Sequence, residues 1–204
     1  MTVRLNIDVI QREMENLKEL RNVNLLDVVD HLSDGSYRLK ANIFPSSGAV
    51  YAFWWTGSSE CFMAEDLNRI MRFKGPNGRN VDVEFSDDWI NQIHVDGKIP
   101  LYVGKTADSL HKRLSLHLQL KTKRGLSLGE KALSEERKTT SNQVRDRIER
   151  MFLNEADIRK LMLHNIGLSY VLLDGDLESA NRFYLEDKAI GELLPLFNID
   201  IERL

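Results

Sequence analysis

Near the start of the chain the apolar residues Ile7, Ile10, Met14, Leu17 and Leu20 recur three and four positions apart between Asn6 and Arg21, the interval of one face of an amphipathic helix. Asn24 suits the cap of a second short helix carrying Leu25, Leu26, Val28, Val29 and Leu32, with Asp34-Gly35 as its stop. Residues 1–47 are therefore expected to form an N-terminal helical layer. The pattern then changes. After the turn-rich Phe44-Pro45-Ser46-Ser47-Gly48, the unbroken run Ala49 to Trp55 suits a buried strand, and Thr56-Gly57-Ser58-Ser59 ends it. Ile99 to Gly104, after Asp96-Gly97, and Leu168 to Leu173, between Gly167 and Asp174-Gly175, have the same character. Three short strands are predicted, separated by helical stretches.

Residues 58–98 form a long insert between the first two strands. Within it the spacing predicts a helix over Glu65 to Phe73, a turn at Gly75-Pro76-Asn77-Gly78 and an alternating strand at Val81 to Phe85. Beyond the second strand, Ser109 to Leu118 puts Leu110, Leu114 and Leu118 on one helix face, with Asp108 as the cap. Arg113 and His117, four apart, share another face. Lys121 to Thr140 is polar and turn-rich, and helical spacing resumes through Val144, Ile148 and Phe152.

Composition narrows the class. At 204 residues, 42% hydrophobic and 29% charged, the chain suits one globular domain with at most a modest attachment, which excludes disorder and collagen-like repeats. The single cysteine, Cys61, excludes an intrachain disulfide and any multi-thiolate zinc site and fits a reducing compartment. No window approaches about 18 uninterrupted apolar residues and the N-terminus lacks a signal-like pattern, so cytoplasm is the expected compartment, with no membrane partner. A net charge of -3 argues by itself against a polyanionic partner. Its distribution argues otherwise. From Lys105 to Arg150 twelve Lys or Arg stand against six acids, a local excess of +6, while the insert is net -3.

Ala49-Val50-Tyr51, followed by Ala52 to Gly57, resembles the first strand motif of the GIY-YIG nucleases, and Pro100-Leu101-Tyr102-Val103-Gly104-Lys105-Thr106 resembles their second. Leu110 to His117 resembles the segment supplying that family's arginine, here Arg113, with His117 one turn later. Leu185 to Asn198 resembles its last motif, in which a metal-binding glutamate on a helix precedes a Pro-x-x-Asn ending. The four motifs fall in order over roughly residues 48–198, and their combination is far more specific than any tripeptide. The restriction-endonuclease branch is the nearest in appearance. Two departures stand out: Ala49 replaces the first glycine, and Tyr51 and Tyr102 lie 51 positions apart because the insert separates strands that the family joins by a short loop.

The resemblance implies an α/β (α+β) fold in which residues 48–204 form the nuclease domain, with a small, mainly antiparallel three-stranded sheet flanked by helices. It implies a metal-dependent endonuclease hydrolysing DNA phosphodiester bonds, of restriction type, with a two-fold homodimer if the site is palindromic. The rival readings are a repair, recombination or mobile-element nuclease acting on branched or single-stranded DNA, and a non-catalytic nucleic-acid-binding or protein-binding module that keeps the fold. By resemblance, Tyr51 is the base or base relay, Tyr102 supports the nucleophile or phosphate, and Glu186 holds one Mg2+ or Mn2+ ion. Arg113 offers a permanently charged fork to phosphate. A normal phenol titrates near 10, so Tyr51 needs a nearby cation, for which Lys105, His117 and Arg113 are available. His117 instead relays a proton or binds phosphate, and Asn198 fixes the glutamate or the chain end. Lys112, Lys121, Lys123, Arg124 and Arg145 are the expected contacts to the nucleic-acid backbone.

Taken singly, these residues have plainer readings. Tyr51 and Tyr102 are ordinary strand aromatics, Arg113 and His117 a solvated helix face, and the basic stretch a solvated loop with a salt-bridged helix. Periodicity does not choose between Glu186 and Asp187, both near the stripe of Phe183, Ile190 and Leu194; the intervals to Pro195 and Asn198 select Glu186 by resemblance. Trp54, Trp55 and Trp89 read as core. No GxSxG, Walker-type loop or HExxH is present.

Overall fold

A computed structural model describes residues 2–19, 23–74, 79–121, 123 and 143–199. Asn6 caps α1 (Ile7–Lys18) by accepting the Val9 N–H, and the stripe Ile10, Met14 and Leu17 is buried as its spacing predicts. The expected second helix does not form. Asn24 does act as a cap, but of a single 3-10 turn, Leu25–Val28, that follows the two-residue strand β1 (Val23–Asn24). The chain then extends into β2 (Val29–His31), paired antiparallel with β3 (Tyr37–Leu39). Adjacent Val28 and Val29 lose rotamer freedom in a helix, and Gly35, at φ 75°, turns a hairpin rather than ending a helix. The N-terminal segment is thus one helix followed by strands, not a helical layer.

The central strand β4 (Ala49–Trp55) is buried along its whole length, which explains an apolar run with no alternation. In the insert the helix expected over 65–73 is replaced by β5 (Ile70–Lys74), paired with β6 (Asn80–Glu84). Met71 and Phe73 are buried, while Arg72 pairs Asp82 at 2.7 and 2.8 Å. Alternation at period two, over a segment too short to settle a helix, decides the outcome. The turn at 75–78 lies outside the described residues. Ser86 caps α2 (Asp87–Gln92), on which Trp89 stacks against Phe85 at 5.4 Å.

After β7 (Ile99–Thr106) comes α3 (Leu110–Leu118), whose N-terminus is capped by Ser109 and not by Asp108. α4 (Gln143–Met151), α5 (Ile158–Asn165), β8 (Ile166–Leu172) and α6 (Ser179–Leu193) complete the chain. The three predicted strands are neighbours in one antiparallel sheet, with β4 between β7 and β8. The sheet has four strands, not three, because β1 joins at the β8 edge. The molecule is mixed α/β, with six helices and two small hairpins beside this sheet among the described residues.

Helices cover both faces. Tyr51, Phe53 and Trp55 pack with Leu110, Leu114 and Leu118 of α3, Val144 and Ile148 of α4, and Ile158 and Met162 of α5. Val50, Ala52 and Trp54 face Ile10, Met14 and Leu17 of α1 and Leu185, Ala189 and Leu193 of α6. Trp54 and Trp55 are core, as expected. The β7 edge is covered by the chain end: Leu196 and Phe197 donate their N–H groups to Pro100 and Leu101 carbonyls at 3.1 and 2.7 Å. Asn198 continues the pattern with its side chain, accepting the Val103 N–H at 2.7 Å and donating to the Val103 carbonyl at 2.8 Å. Asn198 thus ties the segment after α6 to the β7 edge. Among the described residues no helix is long and apolar enough to cross a membrane.

Candidate active site

Strand register brings the two tyrosines together. Tyr51 pairs with Gly104 and Phe53 with Tyr102, so both tyrosines lie diagonally on one face, with ring centroids 6.4 Å apart. Gly104 makes room for them. A Cβ there would lie 2.6 Å from the Tyr51 hydroxyl oxygen and 2.8 Å from Tyr102 Cε1, inside any real contact. Gly104→Ala is accordingly expected to lower stability by about 1–3 kcal/mol, through overpacking against two buried rings. A urea midpoint equal to that of wild type would refute this close packing.

α3 then lays two polar side chains over the rings. Arg113 Nε donates to the Tyr51 hydroxyl at 3.3 Å, and its guanidinium also bonds Tyr102. His117 Nε2 lies 2.9 Å from the same Tyr51 hydroxyl, and its ring is 4.9 Å from that of Tyr102. The two do not share a solvated face: Arg113 is half-buried, whereas His117 is fully buried between Tyr51, Phe53 and Tyr102. Burial and the nearby Arg113 charge push His117 down to about 3. It is therefore neutral at neutral pH and does not supply the positive field expected of it, leaving Arg113 as the cation on Tyr51. Burial, and then Tyr102, raise the Tyr51 phenol above its usual value against the opposing pull of Arg113. Tyr102 is also raised by burial. Both phenols carry their protons at neutral pH.

A pH dependence follows from His117. Unfolded, it titrates near 6.5, whereas folded it stays neutral down to about 3, so in that window the unfolded chain binds a proton that the folded chain refuses. Stability falls as pH drops through the window, at up to about 1.4 kcal/mol per pH unit. His117→Gln should flatten the dependence between about pH 4 and 6. Identical urea-midpoint profiles for the variant and wild type would refute the burial of a neutral imidazole.

Lys105 and Glu186 lie toward the opposite side of β7. Lys105 pairs in register with Val50, and Val50 faces α6. From there its ammonium forms an ion pair with the Glu186 carboxylate and sits 5.0 Å from the centre of the Phe183 ring. Asp187 is exposed, whereas Glu186 is half-buried. The Glu186 charge also contributes, as a lesser cause, to raising both phenols, which places it within electrostatic reach of the tyrosine cluster. Among the described residues no group of three or more His, Cys, Asp and Glu assembles around a point. A divalent ion would have Glu186 as its protein ligand and complete its shell with water and phosphate oxygens, a pattern that suits Mg2+.

No family model, curated protein or solved structure matches the chain.

The expected nucleic-acid contacts divide. Lys112, Lys121 and Lys123 are exposed. Arg124 lies outside the described residues. Arg145 is a correction: it is 2% exposed, pairs with Glu149 at 2.8 Å and donates to the Lys123 carbonyl at 2.7 Å, so it braces the fold and offers no surface to a phosphate. Arg150 pairs with Asp146 in the same way. Part of the local basic excess is thus internal. Arg147, counted in the sequence only as a charge, donates to the Phe197 carbonyl, lies 5.1 Å over Phe73 and helps hold the Tyr102 pKa down. Helical spacing gave no signal for that role. Tyr51 is completely enclosed. Two surface cavities lie elsewhere, one beside Tyr37 and Leu120, the other beside Cys61 and Phe152.

Proposed function

We propose that the chain is a divalent-metal-dependent endonuclease that hydrolyses DNA phosphodiester bonds, related to the GIY-YIG nucleases and of restriction type. One observation carries this reading: Tyr51, Tyr102, Arg113 and His117, from two strands and a helix, meet through hydrogen bonds and ring contacts, with the Lys105–Glu186 pair in electrostatic reach. Random surface residues do not collect buried phenols, a neutral imidazole and a permanent cation in this way.

The division of labour follows from protonation. Arg113 presents its charge to the phosphate and stabilises the negative charge added at phosphorus. The Tyr51 hydroxyl, held between Arg113 and His117 Nε2, positions the attacking water, whose proton leaves to bulk solvent because an imidazole pushed down to about 3 does not take it up. Tyr102 orients the phosphate. Glu186 holds the divalent ion, Mg2+ or Mn2+, which when bound supplies Lewis-acid stabilisation of the leaving oxygen. Exposed Lys112, Lys121 and Lys123 attract the DNA backbone, and a palindromic site calls for two copies of the chain.

The enclosure of Tyr51 favours one other reading, a nucleic-acid-binding module without catalysis. Incubating the protein with supercoiled plasmid in Mg2+, Mn2+ or EDTA separates the two. Cleavage that EDTA abolishes is expected, with cuts clustering at one short palindrome when the ends are sequenced. Binding without metal-dependent cleavage on varied DNA would support the module.

A further inference from the structure

Glu186 is a half-buried carboxylate with little to hold it. Its side chain is 16% exposed, and among the described residues the Lys105 ammonium is its one hydrogen-bond partner. A carboxylate has lone pairs for several bonds and an ammonium several protons to give, so both groups are left short. Other ion pairs of the chain are better satisfied. Asp157 accepts Nε and Nη2 of Arg159 at 2.8 Å each and also caps α5, and Glu192 takes Lys18 and Lys188 together. The Lys105 ammonium is steadied instead by a ring. It lies 5.0 Å from the centre of Phe183, one turn before Glu186 on α6, and its side chain, 37% exposed, has a way out to solvent.

We infer that Lys105 stands in for the divalent ion: its ammonium fills the cation position at Glu186 in the metal-free chain and withdraws when a metal binds there. This rests on the nuclease reading, which gives the metal to Glu186, and adds to it the residue that controls loading. The two cations exclude one another. Both need the oxygens of one carboxylate, and a divalent charge repels an ammonium left at hydrogen-bond distance. Without the lysine, Glu186 in the metal-free chain would keep an unpaired charge in a half-buried position. With it, the carboxylate is balanced in either state, and the metal binds more weakly than the bare carboxylate would allow. Lys105 thus acts through Glu186, as a positioning residue.

The test uses the full chain without DNA and reads metal binding, not cleavage. Mn2+ affinity is taken from the electron paramagnetic resonance of the free ion, for wild type, Lys105→Met, Glu186→Gln and the double variant. Lys105→Met should bind Mn2+ about three- to tenfold more tightly than wild type, because a near-surface ion pair no longer has to be broken and no ammonium repels the metal. Glu186→Gln and the double variant should both lack the site. A second measurement leaves the side chains as they are. In wild type the NMR resonance of the Lys105 ε-methylene, assigned by its absence from Lys105→Met, should shift along a saturating curve as Mg2+ is added, and it should stay in place in Glu186→Gln. Lys105→Met binding Mn2+ no more tightly than wild type, a Lys105 resonance that Mg2+ does not move, or tightening that persists in the double variant overturns the exchange. If wild type shows metal-dependent cutting of plasmid while both readings stay flat, the exchange alone fails. If wild type never cuts but Lys105→Met tightens Mn2+ binding through Glu186 and the Lys105 resonance moves, the nuclease reading fails and the exchange stands.

Discussion

Glu186→Gln protein is expected to bind DNA at least as tightly as wild type and to cut it at least about a thousandfold more slowly, the upper end for removing one electrostatic group from a reacting centre. The carboxylate and the amide have nearly the same shape, so what changes is charge. A neutral amide is a poor ligand for a hard divalent cation, and no group of three or more His, Cys, Asp and Glu among the described residues assembles there to replace it. The fold should tolerate the change. Lys105 and Glu186 are 37% and 16% exposed at their side chains, a pair near the surface whose contribution is on the order of 1 kcal/mol or less, and glutamine can still accept the lysine ammonium. Freeing Lys105 from a full negative charge leaves more positive potential for a phosphate, so affinity should hold or rise. The measurement is a single-turnover cleavage rate beside an anisotropy titration. Metal-dependent cutting at the wild-type rate by Glu186→Gln would remove Glu186 from the metal and leave its pairing with Lys105 a purely structural one.

Arg113→Ala is the second large effect, expected at about a hundred- to a thousandfold in cleavage rate, with most DNA affinity kept. Among the described residues Arg113 is the cation bonded to the Tyr51 hydroxyl, since His117 is neutral in its buried position. Its removal takes away charge stabilisation at the phosphate and lets the Tyr51 phenol rise further, because the guanidinium is what opposes the effect of burial. Arg113→Lys should recover little, as an ammonium does not reproduce the planar fork that bonds the Tyr51 and Tyr102 hydroxyls. A lysine variant as fast as wild type would mean that only charge matters here; an alanine variant as fast as wild type would exclude Arg113 from the reaction.

The meeting of four side chains was more legible in the sequence than the elements around them. Tyr51, Tyr102, Arg113 and His117 were singled out by motif, and they do meet. Their chemistry was not legible. A histidine one turn from an arginine reads as a solvated pair, but α3 turns His117 inward and leaves Arg113 at the rim, and burial then makes the imidazole neutral. Arg145 failed as a surface contact for a similar reason: a charge run does not show which residues pair within the same helix and turn inward. The missed elements were short ones. Leu25, Val28, Val29 and Leu32 recur at helical spacing, as do Leu67, Ile70 and Met71, but over short segments, and the pairing of β2 with β3 and of the alternating β5 with β6 decided against helices.

What the sequence determined by itself were features encoded by local periodicity and composition: the buried run of β4, the helices at α1 and α3 with their apolar stripes, and the segregation of charge. These depend on which side chains recur at which interval, and that is written along the chain. Tertiary structure alone decided the register that sets Gly104 under two phenols, the inward turn of His117, the pairing of Glu186 with Lys105 and the exposure of Phe183 beside Lys105. Each of these depends on contacts between residues from about 50 to more than 80 positions apart, whose protonation and accessibility are set by neighbours that no local interval specifies.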